Sequence, residues 1–180
     1  VNLYYDTPTL ALRRHGIALR LRKQGRQWLQ TVKCAGESAA GLSSRPEWET
    51  PYAGHFDFYA IDDAATRHWL EKPRIRKGLA PVFETNFRRI TWRFEPKQGC
   101  ALLMTLDRGW IAAAGRRETL SEVEIELCEM YEQGDPGRQK NVAEAFRLAQ
   151  TLAQDVPLVP TALSKAERGY ALARHELHQP

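Results

Sequence analysis

Cysteine is scarce and scattered. Cys34, Cys100 and Cys128 are odd in number, and no two stand in the C-x-x-C spacing of a zinc or redox site. The reading therefore excludes a disulfide framework and a structural zinc, and expects a reducing, cytoplasmic compartment. Long apolar runs are missing too, so no transmembrane helix and no membrane partner are expected. There is no internal repeat, heptad array or low-complexity tract. Histidine offers no ligand set: His15, His55 and His68 are far apart, and His175 and His178 sit in a tail where solvation is expected. The chain starts at Val1 without Met, so the sequence is silent on any leader.

What is present is ordinary for a folded domain. Of 180 residues, 43% are hydrophobic and 27% charged, enough for a single domain with a sizeable core. The net charge of +4 admits nucleic acid or a small polyanion. The basic residues do not gather in a tail. They recur inside strand-like segments among acidic ones, and no aromatic RNA-binding platform is seen, so a small polyanion is preferred and no nucleic acid is expected.

Ser121 to Glu129, SEVEIELCE, is the most informative stretch. Glu122, Glu124 and Glu126 alternate with Val123, Ile125 and Leu127, the period of a strand. Three carboxylates on one face repel one another. Either solvent covers them or a cation does, and a divalent metal with oxygen ligands fits.

In chain order, Val1 to Tyr5 reads as a strand. Asp6 or Thr7 then caps a short helix over Thr9 to His15. Ile17 to Lys23 and Gln27 to Lys33 form a hairpin around Gln24-Gly25-Arg26, with Arg20 and Arg22 on one face and Ile17, Leu19 and Leu21 on the other. Cys34 to Ser44 reads as a small-residue loop, and Arg45 to Thr50 as a strand with Glu47 and Glu49 on one face. Asp57 to Leu70 is expected to be helical, followed by a polar connector over Glu71 to Pro81. Val82 to Glu95 is a long strand in which parity alone does not say whether Arg88 or Arg89 faces inward. A turn over Pro96 to Gly99 leads into a strand over Cys100 to Ala113, which carries Asp107. Gly115-Arg116-Arg117 turns into the Glu-rich strand. Gly134-Asp135-Pro136 is a stop-and-cap signal. Gly137 to Gln154 and Thr161 to Glu176 are expected helices, the second with Lys165 and Arg168 on one face.

Many antiparallel hairpin strands with few helices suggest a closed barrel or curled sheet, α+β and mainly β. Like charges recur two residues apart at Arg20/Arg22, Glu47/Glu49 and Glu122/Glu124/Glu126, with apolar residues on the opposite faces. Solvated outer faces could give this pattern. A barrel with its charged faces inward would give it too, with an acidic wall for metal and a basic wall for phosphate.

YYDTP, IALRLRK, WLQTVK, RPEWE, NFRR, LDRG, EVEIEL and SKAERGY occur in this order from Asn2 to about Leu172. Together they resemble the CYTH, or triphosphate tunnel metalloenzyme, family, and most of all its bacterial inorganic triphosphatases. The resemblance implies an eight-stranded antiparallel tunnel that hydrolyses tripolyphosphate with Mg²⁺ or Mn²⁺. It implies catalytic roles for Glu47, Glu49 and Lys33. It implies substrate binding by Arg20, Arg22, Lys33, Arg88, Lys165 and Arg168, with Arg89 the alternative to Arg88. Glu124 and Glu126 match the metal-binding pair, with Glu122 accessory and Asp107 a further carboxylate. Asn86 stands where many relatives have a basic residue.

The family's Glu-x-Glu-x-Lys signature strand is not found ahead of Asn2, so the expectation is a single CYTH domain over 1–180, truncated at its N-terminus and impaired in activity. A CHAD-domain partner outside this chain is also implied. Class IV adenylate cyclase or thiamine triphosphatase chemistry on another triphosphate-bearing small molecule is an alternative reading. A non-catalytic polyphosphate-binding module is another.

Overall fold

The structure is a computed structural model that describes residues 1–39, 42–44, 46–98, 100–128 and 136–174. The expected strand start at Arg45, the turn residue Gly99, Glu129, the Gly134-Asp135 signal, the tail histidines and the end of the last helix at Glu176 lie outside these residues. The strands are β1 (Asn2–Asp6), β2 (Ile17–Gln24), β3 (Gln27–Cys34), β4 (Glu37–Ala39), β5 (Leu42–Ser44), β6 (Glu47–Pro51), β7 (Ala80–Lys97), β8 (Cys100–Ala113) and β9 (Arg116–Leu127). The helices are α1 (Ala11–Arg14), α2 (Ala64–Leu70), α3 (Pro73–Arg76), α4 (Pro136–Asp155) and α5 (Lys165–Ala173). Seven strands make one sheet in the order β6-β3-β2-β1-β7-β8-β9, and β4 pairs with β5. Among the described residues the hydrogen-bonded order of the main sheet ends at β6 and β9, so the expected eight-stranded closure is not among its features. No helix among the described residues is long and apolar enough to cross a membrane.

The chain contacts divide into two compact units. The first comprises Val1–Asn86, Trp110–Glu118 and Thr161–Pro180; the second comprises Phe87–Gly109 and Thr119–Pro160.

In the first unit, alternation along β2 and β3 sorts the side chains. Ile17, Leu19 and Val32 are buried in a cluster with Leu12 of α1, Leu70 of α2, Ile75 of α3, and Phe58 and Ile61. Burying each of these fully contributes about 1.5–3 kcal/mol. The helices are shorter than their apolar spacing suggests. Residues 57–63 are not helical, because Asp63 accepts from the backbone N–H groups of Ala65 and Thr66 and starts α2 there. α1 starts late as well, behind Leu10 at φ 53. Part of the expected polar connector is α3, opened by Pro73 at its first turn. The expected loop after Cys34 contains the β4–β5 pair.

α5 packs on another part of this unit. Its capping box joins Ser164 and Glu167, which places the helix start later than the expected Thr161. Phe83 stacks on Tyr4 with ring centroids 4.4 Å apart and meets Tyr170 edge-on at 5.1 Å. Gly169 lies so close to Phe83 that a Cβ there would stand 2.1 Å from the ring.

In the second unit, α4 lies along β7 and β8. A cleft lined by Phe94, Pro96, Leu102 and Leu148 marks the seam. Glu144 of α4 reaches Lys97 at 3.2 Å and Arg147 at 2.6 Å. The hydrogen bonds from Arg147, then Lys97, pull its carboxyl below the usual range. The turn that joins β8 and β9 belongs to the first unit and is made by Ala114 and Gly115, with φ of 50 and 76, rather than by the expected Gly115-Arg116-Arg117, because Arg116 already lies in β9. Both central residues are left-handed, as a type I′ hairpin requires.

Candidate active site

The first unit places opposite charges in register on three neighbouring strands. Thr31 of β3 pairs with Arg20 of β2 on one side and Glu49 of β6 on the other, and Lys33 pairs with Glu47. All five therefore share one sheet face, opposite Leu19, Val32 and Trp48. The Arg20 Nη2 donates to Thr31 Oγ1 at 3.1 Å, and that hydroxyl donates to Glu49 Oε2 at 3.0 Å. Arg22 Nη2 donates to both Glu49 oxygens, at 2.8 and 2.9 Å. Lys33 Nζ lies 2.7 Å from Glu47 Oε2. Arg20 also lies 3.7 Å from both Glu47 and Glu49, with only 14% of its side chain exposed.

The two arginines leave donors over. Their Nε atoms are buried without a hydrogen-bond partner, as is Asn2 Oδ1. An unmet buried donor costs about 1–3 kcal/mol, and more when charged. The face is thus short of acceptors at Arg20 and Arg22, although both carboxylates of β6 are already engaged.

α5 carries the other two substrate-binding candidates of this unit. Lys165 is buried. Arg168 forks onto Glu118, with its Nε 2.8 Å from Glu118 Oε1. Sequence reasoning missed Glu118. It has the same parity on β9 as Glu122, Glu124 and Glu126, but Leu120 interrupts the alternation.

The second unit brings together Asp107 of β8 and Glu122 and Glu124 of β9. One oxygen from each lies within 4.8 Å of the others. Counting back from the Ala114-Gly115 turn sets Asp107 opposite Glu122, and the Cys128 N–H donating to Ala101 O at 2.9 Å keeps the same count. The same count sets Glu126 opposite Leu103. Glu126 is exposed and outside the group, so the carboxylates that converge are Asp107, Glu122 and Glu124 rather than a Glu124/Glu126 pair. Thr105, two residues before Asp107, is buried with its hydroxyl unpaired.

Arg89 sits on this acidic group. Its Nε donates to Asp107 Oδ1 at 2.7 Å, and its Nη2 donates to Asp107 Oδ2 at 2.6 Å and Glu124 Oε2 at 2.9 Å. The hydrogen bonds to Asp107 hold the guanidinium above its already high range against the opposing effect of burial. Arg88, preferred by resemblance, has the opposite strand parity and is exposed; Arg89 is the arginine that meets the carboxylates. Asp107 is fully buried while Arg89 keeps 40% of its side chain exposed.

The donor set suits a hard divalent cation. Three carboxylates at this separation offer oxygen ligands and leave positions for water or phosphate oxygens, as Mg²⁺ or Mn²⁺ prefers. Arg89 already pairs with two of the three, Asp107 and Glu124.

An antiparallel sheet with short helices, a basic–acidic ladder and a carboxylate cluster defines the class to which the comparisons point. The CYTH domain model matches residues 1–170, and the chain belongs to the CYTH family. It is 30% identical over 172 residues to an inorganic triphosphatase from Haemophilus influenzae, covering 95% of this chain and 45% of that protein. The chain thus spans under half the length of that curated relative. Two solved structures share the fold. A Hippeastrum protein assigned as an adenylyl cyclase and described as having a dominant triphosphatase activity matches with a TM-score of 0.56 at 16% identity, over 98% of this chain and 82% of that one. A Bacillus halodurans protein assigned as an adenylate cyclase matches with a TM-score of 0.55 at 20% identity, over 93% and 79%.

Proposed function

We propose that this chain carries out metal-dependent hydrolysis of inorganic triphosphate. The observation that carries the reading is the convergence of Asp107, Glu122 and Glu124 in a CYTH chain 30% identical to an inorganic triphosphatase. A divalent cation held by those carboxylates would polarise a phosphoryl oxygen and offset developing charge.

The remaining chemistry belongs to the chain's own side chains. Arg20 and Arg22 grip phosphate oxygens with their guanidinium groups, which share the charged sheet face with Glu47 and Glu49. Glu49 holds both guanidinium groups in place and sets their direction. Lys33, paired with Glu47, adds a mobile charge, and Glu47 is the candidate to orient an attacking water. Lys165 and Arg168 contribute from α5. Arg168 is braced by Glu118, so it acts as a fixed positive edge.

The reading takes tripolyphosphate rather than nucleic acid as partner, because Glu47 and Glu49 break up the basic face that a phosphodiester backbone would need. The CHAD-domain partner rests on the resemblance alone. A reducing, cytoplasmic location is part of the same reading and rests on the three scattered cysteines of the sequence.

The test is phosphate release from tripolyphosphate, pyrophosphate, ATP and thiamine triphosphate, with and without Mg²⁺. Metal-dependent release from tripolyphosphate well above the other three is expected. Equal release from all four, or release indifferent to metal, overturns the reading.

A further inference from the structure

We propose that Arg89 is the cation which a divalent metal must displace from Asp107 and Glu124, and that the displaced guanidinium then becomes a phosphate contact. The inference rests on the metal-dependent reading above.

Both oxygens of Asp107 are taken by the Arg89 fork, and the same Nη2 reaches Glu124. These are two of the three carboxylates that converge. A metal using those oxygens would stand within a few ångströms of a fixed positive charge, at a half-buried site where screening is weak. The fork and the metal therefore exclude one another on the same ligands. Arg89 has the freedom to leave: its side chain is 40% exposed, whereas Asp107 is wholly buried and stays. It also has a surface to move along, because its guanidinium carbon lies 5.6 Å from the Phe87 ring centroid, two residues back on the same strand face. A released guanidinium keeps its charge and offers a fork matched to phosphate oxygens. Without metal, the one positive charge of Arg89 offsets part of the repulsion among the three clustered carboxylates. With metal and substrate the same arginine changes partner. This makes Arg89 a substrate contact whose availability depends on metal occupancy.

The test measures Mn²⁺ affinity of the chain directly, by calorimetry or by the loss of the free-ion resonance signal. Arg89→Gln should bind Mn²⁺ at least about tenfold more tightly than the parent chain, the scale of one charge-assisted contact. Arg89→Lys keeps the charge but cannot fork, and should fall between the two. Arg93→Gln removes an equal charge from the same strand, where Arg93 pairs with Glu95, and should stay within about twofold of the parent. Unchanged or weaker Mn²⁺ binding in Arg89→Gln overturns the inference while leaving the metal site intact. An equal gain in Arg93→Gln also overturns it, because long-range charge would then suffice. Failure of the parent chain to bind Mn²⁺ in a Glu124-dependent way overturns the metal reading itself.

The second measurement uses a methylene-bridged triphosphate analogue that cannot be hydrolysed. Mn²⁺ should tighten its binding to the parent chain more than to Arg89→Gln. Equal tightening in both overturns the change of partner.

Discussion

Tyr170 and Asp6, separated by 164 residues, share a buried hydrogen bond of 2.9 Å from the phenol to Asp6 Oδ2. The same carboxylate accepts from the backbone N–H groups of Thr7, Leu12 and Arg13, at 2.7, 2.8 and 2.9 Å. One buried acid thereby ties β1, the start of α1 and α5 together. Tyr170→Phe leaves a buried anion one donor short and should cost about 1–3 kcal/mol. Urea unfolding of the two chains measures it, and equal midpoints would show the bond to be dispensable.

The same tyrosine predicts an alkaline limit. Burial, then the neighbouring Asp6 charge, raises the Tyr170 phenol above its ordinary value of 10.0. The folded state therefore resists ionisation while the unfolded chain loses its proton. Above pH 10 the unfolded state binds fewer protons, so stability falls as pH rises, and it is intact below that pH. Unfolding curves between pH 9 and 11 should show a steeper decline for the parent chain than for Tyr170→Phe. Parallel declines would remove Tyr170 as the cause.

Gly169 is a packing requirement. A methyl group there meets the Phe83 ring at 2.1 Å, and the ring is held between Tyr4 and Tyr170. Gly169→Ala should destabilise by about 1–3 kcal/mol through overpacking. Phe83→Leu in the same chain should recover part of that loss, which a double-mutant cycle reads as a non-additive term. Strict additivity would place the strain elsewhere.

Substrate grip should distinguish two arginines of one hairpin. Arg22 lies on the charged face against Glu49, whereas Arg26 lies in the turn and is exposed. Arg22→Ala should weaken tripolyphosphate binding by roughly tenfold or more, the scale of a charge-assisted contact, and Arg26→Ala by far less. Equal effects in a binding titration would move the phosphate site off this face.

Among the glutamates, geometry ranks Glu124 above Glu126. Glu124→Gln should abolish Mg²⁺-dependent phosphate release with the fold retained, since it removes like-charge repulsion. Glu126→Gln should leave most of the activity, and chelation by EDTA should reproduce the Glu124→Gln loss in the parent chain. The reverse ranking in a phosphate-release assay would exclude the Asp107-centred group as the metal site.

Alternation is local, and so the amino-acid sequence by itself determined which residues of β2, β3, β6 and β9 carry charge on one face and apolar groups on the other. Backbone pleating needs no distant partner. The hairpin turn at Gly25 was equally legible, because a two-residue connection asks for positive φ; Gly115 marked the second, but its turn is Ala114-Gly115 rather than Gly115-Arg116-Arg117, since Arg116 already lies in β9. Strand order and register came only with the tertiary structure. Parity along the 18-residue β7 has no internal reference, so nothing local chooses between Arg88 and Arg89; the choice falls to Asp107, 18 residues from Arg89. Glu126 has the same local pattern as Glu124, and only the neighbouring strand, with Leu103 rather than an acid opposite it, separates the two. Residues 57–63 look helical by apolar spacing, yet the Asp63 cap and the burial of Phe58 and Ile61 decide otherwise. Arg168 finds Glu118 and Tyr170 finds Asp6 across 50 and 164 residues. Such pairs depend on how the chain returns to itself, which periodicity along a single strand does not encode.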